Sequence, residues 1–246
     1  MSTAERSAVG DVGNGIVKHA GWTFSGGVAD VFLDHVRQSV PTYDLNHDLA
    51  CDISALFCRP RGRGYDLGTS TGQLLTRLAE ANSHLPDIEW IGYDCEPEMI
   101  AAAEKRCRSR NLSNVTVMLA DIADVTYQQC DFVSAYLVLQ FLPIHRREEV
   151  VRRVFRALRD GGAFFLFEKI HERDTRIADL IEVLYHDFKL DRGLSSQEIV
   201  NKARSLATVL EPCAPSENLL MLERSGFRSV AAITRYLCFE GYLAIK

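Results

Sequence analysis

From residue 64 onward the chain alternates between two kinds of apolar pattern. Short, nearly continuous apolar runs at 64–67, 88–94, 115–119, 132–139 and 163–167 predict strands. Between them apolar residues recur at helical spacing: Leu74, Leu75 and Leu78; then Met99, Ile100, Ala103 and Cys107; then Val150, Val151, Val154, Phe155 and Leu158. Pro97 suits the first turn of its helix, and Gly161-Gly162 is expected to end the last of the three. The run FVSAYLVL is apolar on both faces, as a central parallel strand must be. Strand–helix alternation of this kind predicts successive right-handed βαβ units and a parallel sheet covered on both sides.

The pattern changes at both ends. Residues 1–20 are polar and glycine-rich and read as a flexible amino terminus. The segment 22–32 (WTFSGGVADVF) is dense in aromatics, and 44–57 reads as a helix with Leu45, Leu49, Ile53 and Leu56 on one face. Together, 21–60 is expected to form an amino-terminal cap. After residue 170 the alternation stops. An amphipathic stretch at 174–189 (Ile177, Leu180, Ile181, Leu184, Phe188) and a second at 196–210 predict a helical lid inserted over 171–212. A helix at 217–226 and strands at 228–234 and 236–245 complete the chain. The link between those strands is too short for a parallel crossover, so they should pair antiparallel. A single α/β domain over 21–246, its parallel sheet ending in an antiparallel hairpin, fits the Rossmann-like class I fold of S-adenosylmethionine (SAM)-dependent methyltransferases.

Composition narrows the function. Of 246 residues, 47% are hydrophobic and 25% charged, enough for one well-filled core. A net charge of −5 argues against a nucleic-acid substrate, which calls for a basic face. Arg59, Arg61 and Arg63 read as a solvated loop. Seven cysteines are scattered without a CxxC pair or a Cys/His cluster at metal spacing, so no metal site is expected and the thiols should be reduced. With neither a membrane-length apolar run nor a signal-peptide pattern, the cytoplasm is the expected location and no membrane partner is expected.

Three signals carry chemistry. The first is Asp66-Leu67-Gly68-Thr69-Ser70-Thr71-Gly72, between the first strand and its helix. Glycine lets a ligand approach the backbone, and the helix amino terminus offers free N–H groups. The spacing is not the G-x-G-x-x-G of dinucleotide loops. The second is Asp94, which ends the second strand and can accept from both ribose hydroxyls. The third is Asp121-Ile122 after the third strand, where the carboxylate can meet the adenine amino group and Ile122 the ring. Acidic residues at three successive strand ends, on the side where open α/β sheets bind ligands, point to SAM as cofactor.

On top of this pattern the chain resembles the carboxy-S-adenosylmethionine synthase family, enzymes that make carboxy-SAM from SAM and prephenate. The resemblance runs from about Gly21 to the carboxyl end and rests on WTF (22–24), VADVF (28–32), RQSVPTY (37–43), YDLGTSTG (65–72), GYD (92–94), LQFLP (139–143), FEK (167–169), HDFK (186–189) and ERSGF (223–227). It implies ligand contacts at Tyr43, Gly68, Thr69, Ser70, Asp94, Asp121 and Ile122, and a homodimer. Two positions depart. Tyr136 stands where the family has Asn, and Ala203 where the family has the Arg that holds the extra carboxylate. Arg204, one residue on, is the candidate replacement.

Tyr136, Tyr185, Tyr43 and Trp22 could form an aromatic lining for a sulfonium. The expected catalytic residues are Tyr136, Tyr185 and Glu168; the expected substrate contacts are Trp22, Tyr185 and Arg204; and the SAM contacts add Asp66, Gly72 and Tyr136 to the list above. His145, His171 and His186 are read as structural, with His186 part of the lid. The leading expectation is methyl transfer to a small metabolite. The alternatives are cyclisation of SAM to azetidine-2-carboxylate and methylthioadenosine, carboxy-SAM synthesis from prephenate, and a non-catalytic SAM-binding role.

Overall fold

The computed structural model describes residues 28–246 apart from residue 208, with side chains from Phe32 onward. Trp22 and the segment 1–20 lie outside the described residues. Two helices come first, α1 (Val28–Ser39) and α2 (Tyr43–Phe57). The alternating core follows: β1 (Arg63–Leu67), α3 (Gln73–Ala81), β2 (Glu89–Asp94), α4 (Pro97–Ser109), β3 (Val115–Leu119), β4 (Cys130–Tyr136), α5 (Ile144–Ala157) and β5 (Leu158–Lys169). Then come α6 (Thr175–Asp191), α7 (Ser196–Leu206), α8 (Pro215–Arg224), β6 (Ser229–Tyr236) and β7 (Phe239–Ile245).

The seven strands lie in the order β3-β2-β1-β4-β5-β7-β6. Pairs from β3 through β5 are parallel, and β7 runs antiparallel to both β5 and β6. The order reverses between β1 and β4, and that switch point opens a crevice at the strand carboxyl ends. Helices cover both faces. Leu67, Val133, Phe164 and Leu166 face one core with α5 and α8, while Trp90, Phe132, Phe165 and Phe167 face another with α2 and α3.

Three expectations shift. β4 stops at Tyr136, because Leu137 takes φ 57° and a short 3₁₀ turn follows at Leu139–Phe141. Gly161 and Gly162 do not end a helix; α5 stops at Ala157, and the glycines sit in an irregular section of β5 where its pairing to β4 jumps from Cys130 to Phe132. Most informative is α2. Leu45 and Leu56 of the expected apolar stripe are 64% and 82% exposed. The buried face instead carries Tyr43, Asn46, His47, Ala50, Cys51, Ile53 and Ser54. Ile53 is buried and Leu49 packs against the core, but the buried face also carries polar and aromatic groups, and Tyr43 and His47 border the cavity at the sheet switch point. Like Leu45 and Leu56, Ile177, Leu180 and Leu184 of α6 face outward.

Local sequence sets the ends of the lid helices. Asp174 caps α6 by accepting from the Arg176 and Ile177 N–H groups. Ser195 and Glu198 form a reciprocal capping box at the start of α7. That box satisfies N–H groups at the start of α7 and marks where the helix begins.

Candidate functional site

The turn after β1 places three left-handed residues within five positions: Gly68 at φ 67°, Ser70 at 49° and Gly72 at 74°. A Cβ on Gly68 would lie 2.4 Å from Val138 Cγ2, so only glycine fits there. Thr69 N–H donates to Tyr93 O (2.8 Å) and Ser70 N–H to Asp94 Oδ2 (2.8 Å), lashing the turn to the end of β2. Asp94 Oδ1 also accepts from Glu96 N–H (3.0 Å). Burial raises the Asp94 carboxyl while these N–H groups hold it down.

Asp66, 2% exposed, accepts from Ser134 Oγ on β4 (2.7 Å), and burial pushes it up to about 6. Asp121 accepts from Ala123 N–H (2.8 Å), and Arg146 stands 3.6 Å from its other oxygen. These groups surround a cavity of about 520 Å³ at the switch point. Tyr43, Asp66, Gly68, Thr69, Ser70, Asp94, Asp121, Ile122, Tyr136 and Tyr185 all line it. Gly72 does not; it starts α3 from behind, where a Cβ would meet Ala103 at 3.0 Å.

An aromatic wall closes one side. Tyr136 stacks on Phe167 (ring centroids 4.5 Å, 14°) and meets Tyr43 and His47 edge-on at 5.5 and 4.6 Å. Its hydroxyl donates to the Tyr43 carbonyl (3.2 Å), and Tyr185 donates to the Ser39 carbonyl (2.7 Å). Burial raises both phenols far from neutral pH. As proton-transfer groups they are therefore poorly suited; as rings facing a cation they are well suited.

Two expected residues fall elsewhere. The Glu168 carboxylate turns away from the cavity and accepts from the N–H groups of Val138 (3.2 Å), Leu139 (3.0 Å) and Gln140 (3.0 Å). It holds the strained turn after β4, and burial pushes it up to about 8. Arg204 is exposed on α7 and borders neither cavity described here. Two residues along a helix turn a side chain by about 200°, so Lys202 lies on the opposite face of α7 and turns inward instead. Its Nζ donates to His35 Nε2 (2.6 Å) and Ser39 Oγ (3.1 Å). His171 Nδ1–H donates to the Pro212 carbonyl (2.9 Å), His145 is exposed, and His186 lies 3.9 Å from Glu182 on the side of α6 that borders a second cavity.

A second cavity of about 380 Å³ shares His35, Lys169, Tyr185 and Lys202 with the first. Here Lys189 Nζ stands 4.1 Å and Lys169 Nζ 5.1 Å from the centre of the Tyr185 ring. Burial and the neighbouring lysines push Lys189 down to about 8 and Lys202 to about 7. Burial likewise drops His35 to about 4, leaving it neutral. Sequence reading missed this lysine cluster. Its members lie on β5, α6 and α7, and only the FEK and HDFK segments hinted at two of them.

The first cavity fits SAM on its own chemistry. It offers carboxylates at three strand ends, aromatic faces for a sulfonium, and buried atoms without a hydrogen-bond partner, among them His47 Nδ1 and Gln73 Oε1. Comparison with known proteins agrees. A methyltransferase domain family matches residues 65–162. The carboxy-SAM synthase of Staphylococcus epidermidis is 32% identical over 92% of this chain and 97% of its own, and that of a Nitratiruptor species 34% identical over 89% and 90%. Among solved structures, human N-acetylserotonin methyltransferase in complex with SAM superposes at TM-score 0.57 with 16% identity, covering 92% of this chain and 60% of its own. An O-methyltransferase family protein from Burkholderia thailandensis does so at 0.63 with 18% identity, covering 89% and 60%. Those two share the fold, while the synthases share the sequence nearly end to end. By that full-length likeness the chain belongs to the carboxy-S-adenosyl-L-methionine synthase family of SAM-dependent enzymes, built on the class I methyltransferase fold.

Proposed function

We propose that the chain couples SAM with a small carboxylate-bearing co-substrate, making carboxy-SAM, in preference to methylating a neutral acceptor. The observation that carries this reading is the lysine chamber opening off the SAM cavity. Two ammonium groups flank one tyrosine ring and Lys202 lines the same chamber; the three like charges repel one another, and an entering anion relieves that repulsion. A neutral or cationic acceptor leaves it in place. Lys202 supplies a cation from the turn of α7 where Ala203 leaves the family's arginine unfilled. A lysine offers a point charge rather than a bidentate fork, so the carboxylate it holds has more orientational freedom.

When bound, SAM supplies a sulfonium with three electrophilic carbons. The chain's own residues do the rest. Tyr43 and Tyr136 present rings to the cavity with Phe167 stacked behind Tyr136, the carboxylates at 66, 94 and 121 receive donors, and Lys169, Lys189 and Lys202 hold the co-substrate. Mass spectrometry of products after incubation with SAM alone, and then with SAM plus prephenate, tests the proposal. Carboxy-SAM appearing only with prephenate supports it. Methylthioadenosine and azetidine-2-carboxylate from SAM alone, or S-adenosylhomocysteine with an uncharged acceptor, would replace it with cyclisation or methyl transfer. Binding without turnover of any of these would leave the non-catalytic reading.

The same reading takes the protein as a cytoplasmic homodimer. Seven free thiols suit a reducing compartment, and among the described residues no helix is long and apolar enough to cross a membrane. A second copy is the occupant that fits the outward apolar face of α6 at Ile177, Leu180, Val183 and Leu184. Light scattering on the purified protein checks it, with a Leu180→Glu, Leu184→Glu variant expected to run as monomer.

A further inference from the structure

His47 has no part in any of the chemistry above, yet it is among the most enclosed polar side chains in the protein, 1% exposed. It projects from the inner face of α2 into the wall of the SAM cavity, between Tyr43 (ring centroids 4.2 Å) and Tyr136 (4.6 Å). Its Nδ1 has no hydrogen-bond partner. A buried polar atom left unpaired costs as much as a lost hydrogen bond, so a structural histidine in this place would be expected to find a carbonyl. Gln73, the first residue of α3, lines the same cavity, and its Oε1 is buried and unpaired too. Two unsatisfied side chains from separate helices therefore border one cavity, alongside the buried carboxylate of Asp66.

The three share a chemistry. Gln73 Oε1 and the Asp66 carboxylate are acceptors. His47 sits among apolar rings that hold its imidazole neutral, so one ring nitrogen carries a lone pair. A corner with three acceptors suits a group that brings three donors and a positive charge, which describes a primary ammonium. Of the parts of SAM, only the amino-acid end carries one. The hydroxyl of Tyr136, which could otherwise have served, is spent on the Tyr43 carbonyl.

We propose that His47, with Gln73, is a positioning residue that receives the α-ammonium of the methionine portion of SAM and so sets the direction in which the sulfonium faces the lysine chamber. The inference rests on SAM as ligand, but not on which group is transferred.

Calorimetric titration separates the two ends of the ligand. S-adenosylhomocysteine carries the amino-acid end; 5′-methylthioadenosine keeps the adenosine and the sulfur but lacks it. His47→Phe should weaken S-adenosylhomocysteine roughly 10- to 100-fold, as losing one hydrogen bond to a charged group does. It should leave methylthioadenosine within about twofold. His47→Gln, which restores an acceptor, should recover most of the loss, and Gln73→Leu should repeat the pattern from the other helix. Methylthioadenosine binding doubles as the control for an intact pocket. An equal loss for both ligands in His47→Phe and Gln73→Leu would mean that these side chains only pack the wall, and no loss for either ligand would place the ammonium elsewhere; both results overturn the proposal. If His47→Phe fails to fold, Gln73→Leu alone decides. Because the readout is binding, it stands or falls apart from the identity of the product.

Discussion

The sheet end of the cavity and its helical roof are built on opposite plans. At the sheet end, Asp66, Asp94 and Asp121 close successive parallel strands, and the backbone itself forms the cradle, with Ser70 N–H and Glu96 N–H tying the loops to Asp94. Little there depends on long side chains. The roof, made by α1, α2, α6 and α7, works through long side chains reaching inward: His35, His47, Tyr185, Lys189 and Lys202. The difference teaches where family function and individual function divide. A backbone cradle tolerates few changes and serves any chemistry that starts from the same nucleoside, whereas one substitution on a roof helix re-aims the reaction.

Breaking the cradle should have the largest effect. Gly68→Ala puts a Cβ against Val138 at a backbone angle that disfavours any side chain, and titration should detect no SAM binding. Lys202→Met tests the roof. SAM should still bind within about twofold, while kcat/KM for an anionic co-substrate falls roughly 10- to 100-fold, the scale for losing a charged hydrogen bond. Equal losses in both would erase the division between the two regions. The pH profile sharpens it further. Lys202 and Lys189 are held down to about 7 and about 8 in the free protein, and an anion favours their charged forms. Co-substrate affinity should therefore be full below about pH 7 and decline as pH rises through 7 to 8. The groups facing Lys202 include neutral His35, with Glu198 beside it, and Lys169 and Lys189; those facing Lys189 include Glu182 and Lys169. Smallest of all, Arg204→Ala should change turnover less than about twofold, since that side chain faces solvent; a large loss would return the co-substrate cation to Arg204.

The same division explains what could be read before folding. Strands with apolar residues on both faces announce themselves, and so do acids at their ends, because period and position coincide there. Asp66, Asp94, Asp121 and Ile122 were all visible in that way, and all line the cavity. The roof was harder. Lys202 and Arg204 are two residues apart on opposite faces of α7, and which face turns inward is set by packing against α1 and α6 that spacing does not encode. On α2 the apolar stripe marked one face, but Leu45 and Leu56 are exposed while Tyr43, Asn46 and His47 are buried, a placement that spacing alone does not reveal. Glu168 looked catalytic as an acid ending a strand. Its reason is instead the three N–H groups freed where Leu137 breaks β4, a demand that appears only once the turn exists.

The placement of β7 carries a consequence for how the protein is made. Of the described strands it is the last in the chain, yet it lies inside the sheet, between β5 and β6. While residues up to about 238 emerge from a ribosome, β5 has only one neighbour, and its other edge stays open along Phe164, Phe165 and Phe167. An open apolar edge invites pairing with a foreign strand. Until β7 pairs, that edge of β5 is a site where the folding chain can aggregate, and a variant that weakens β7 pairing should lose yield to aggregation.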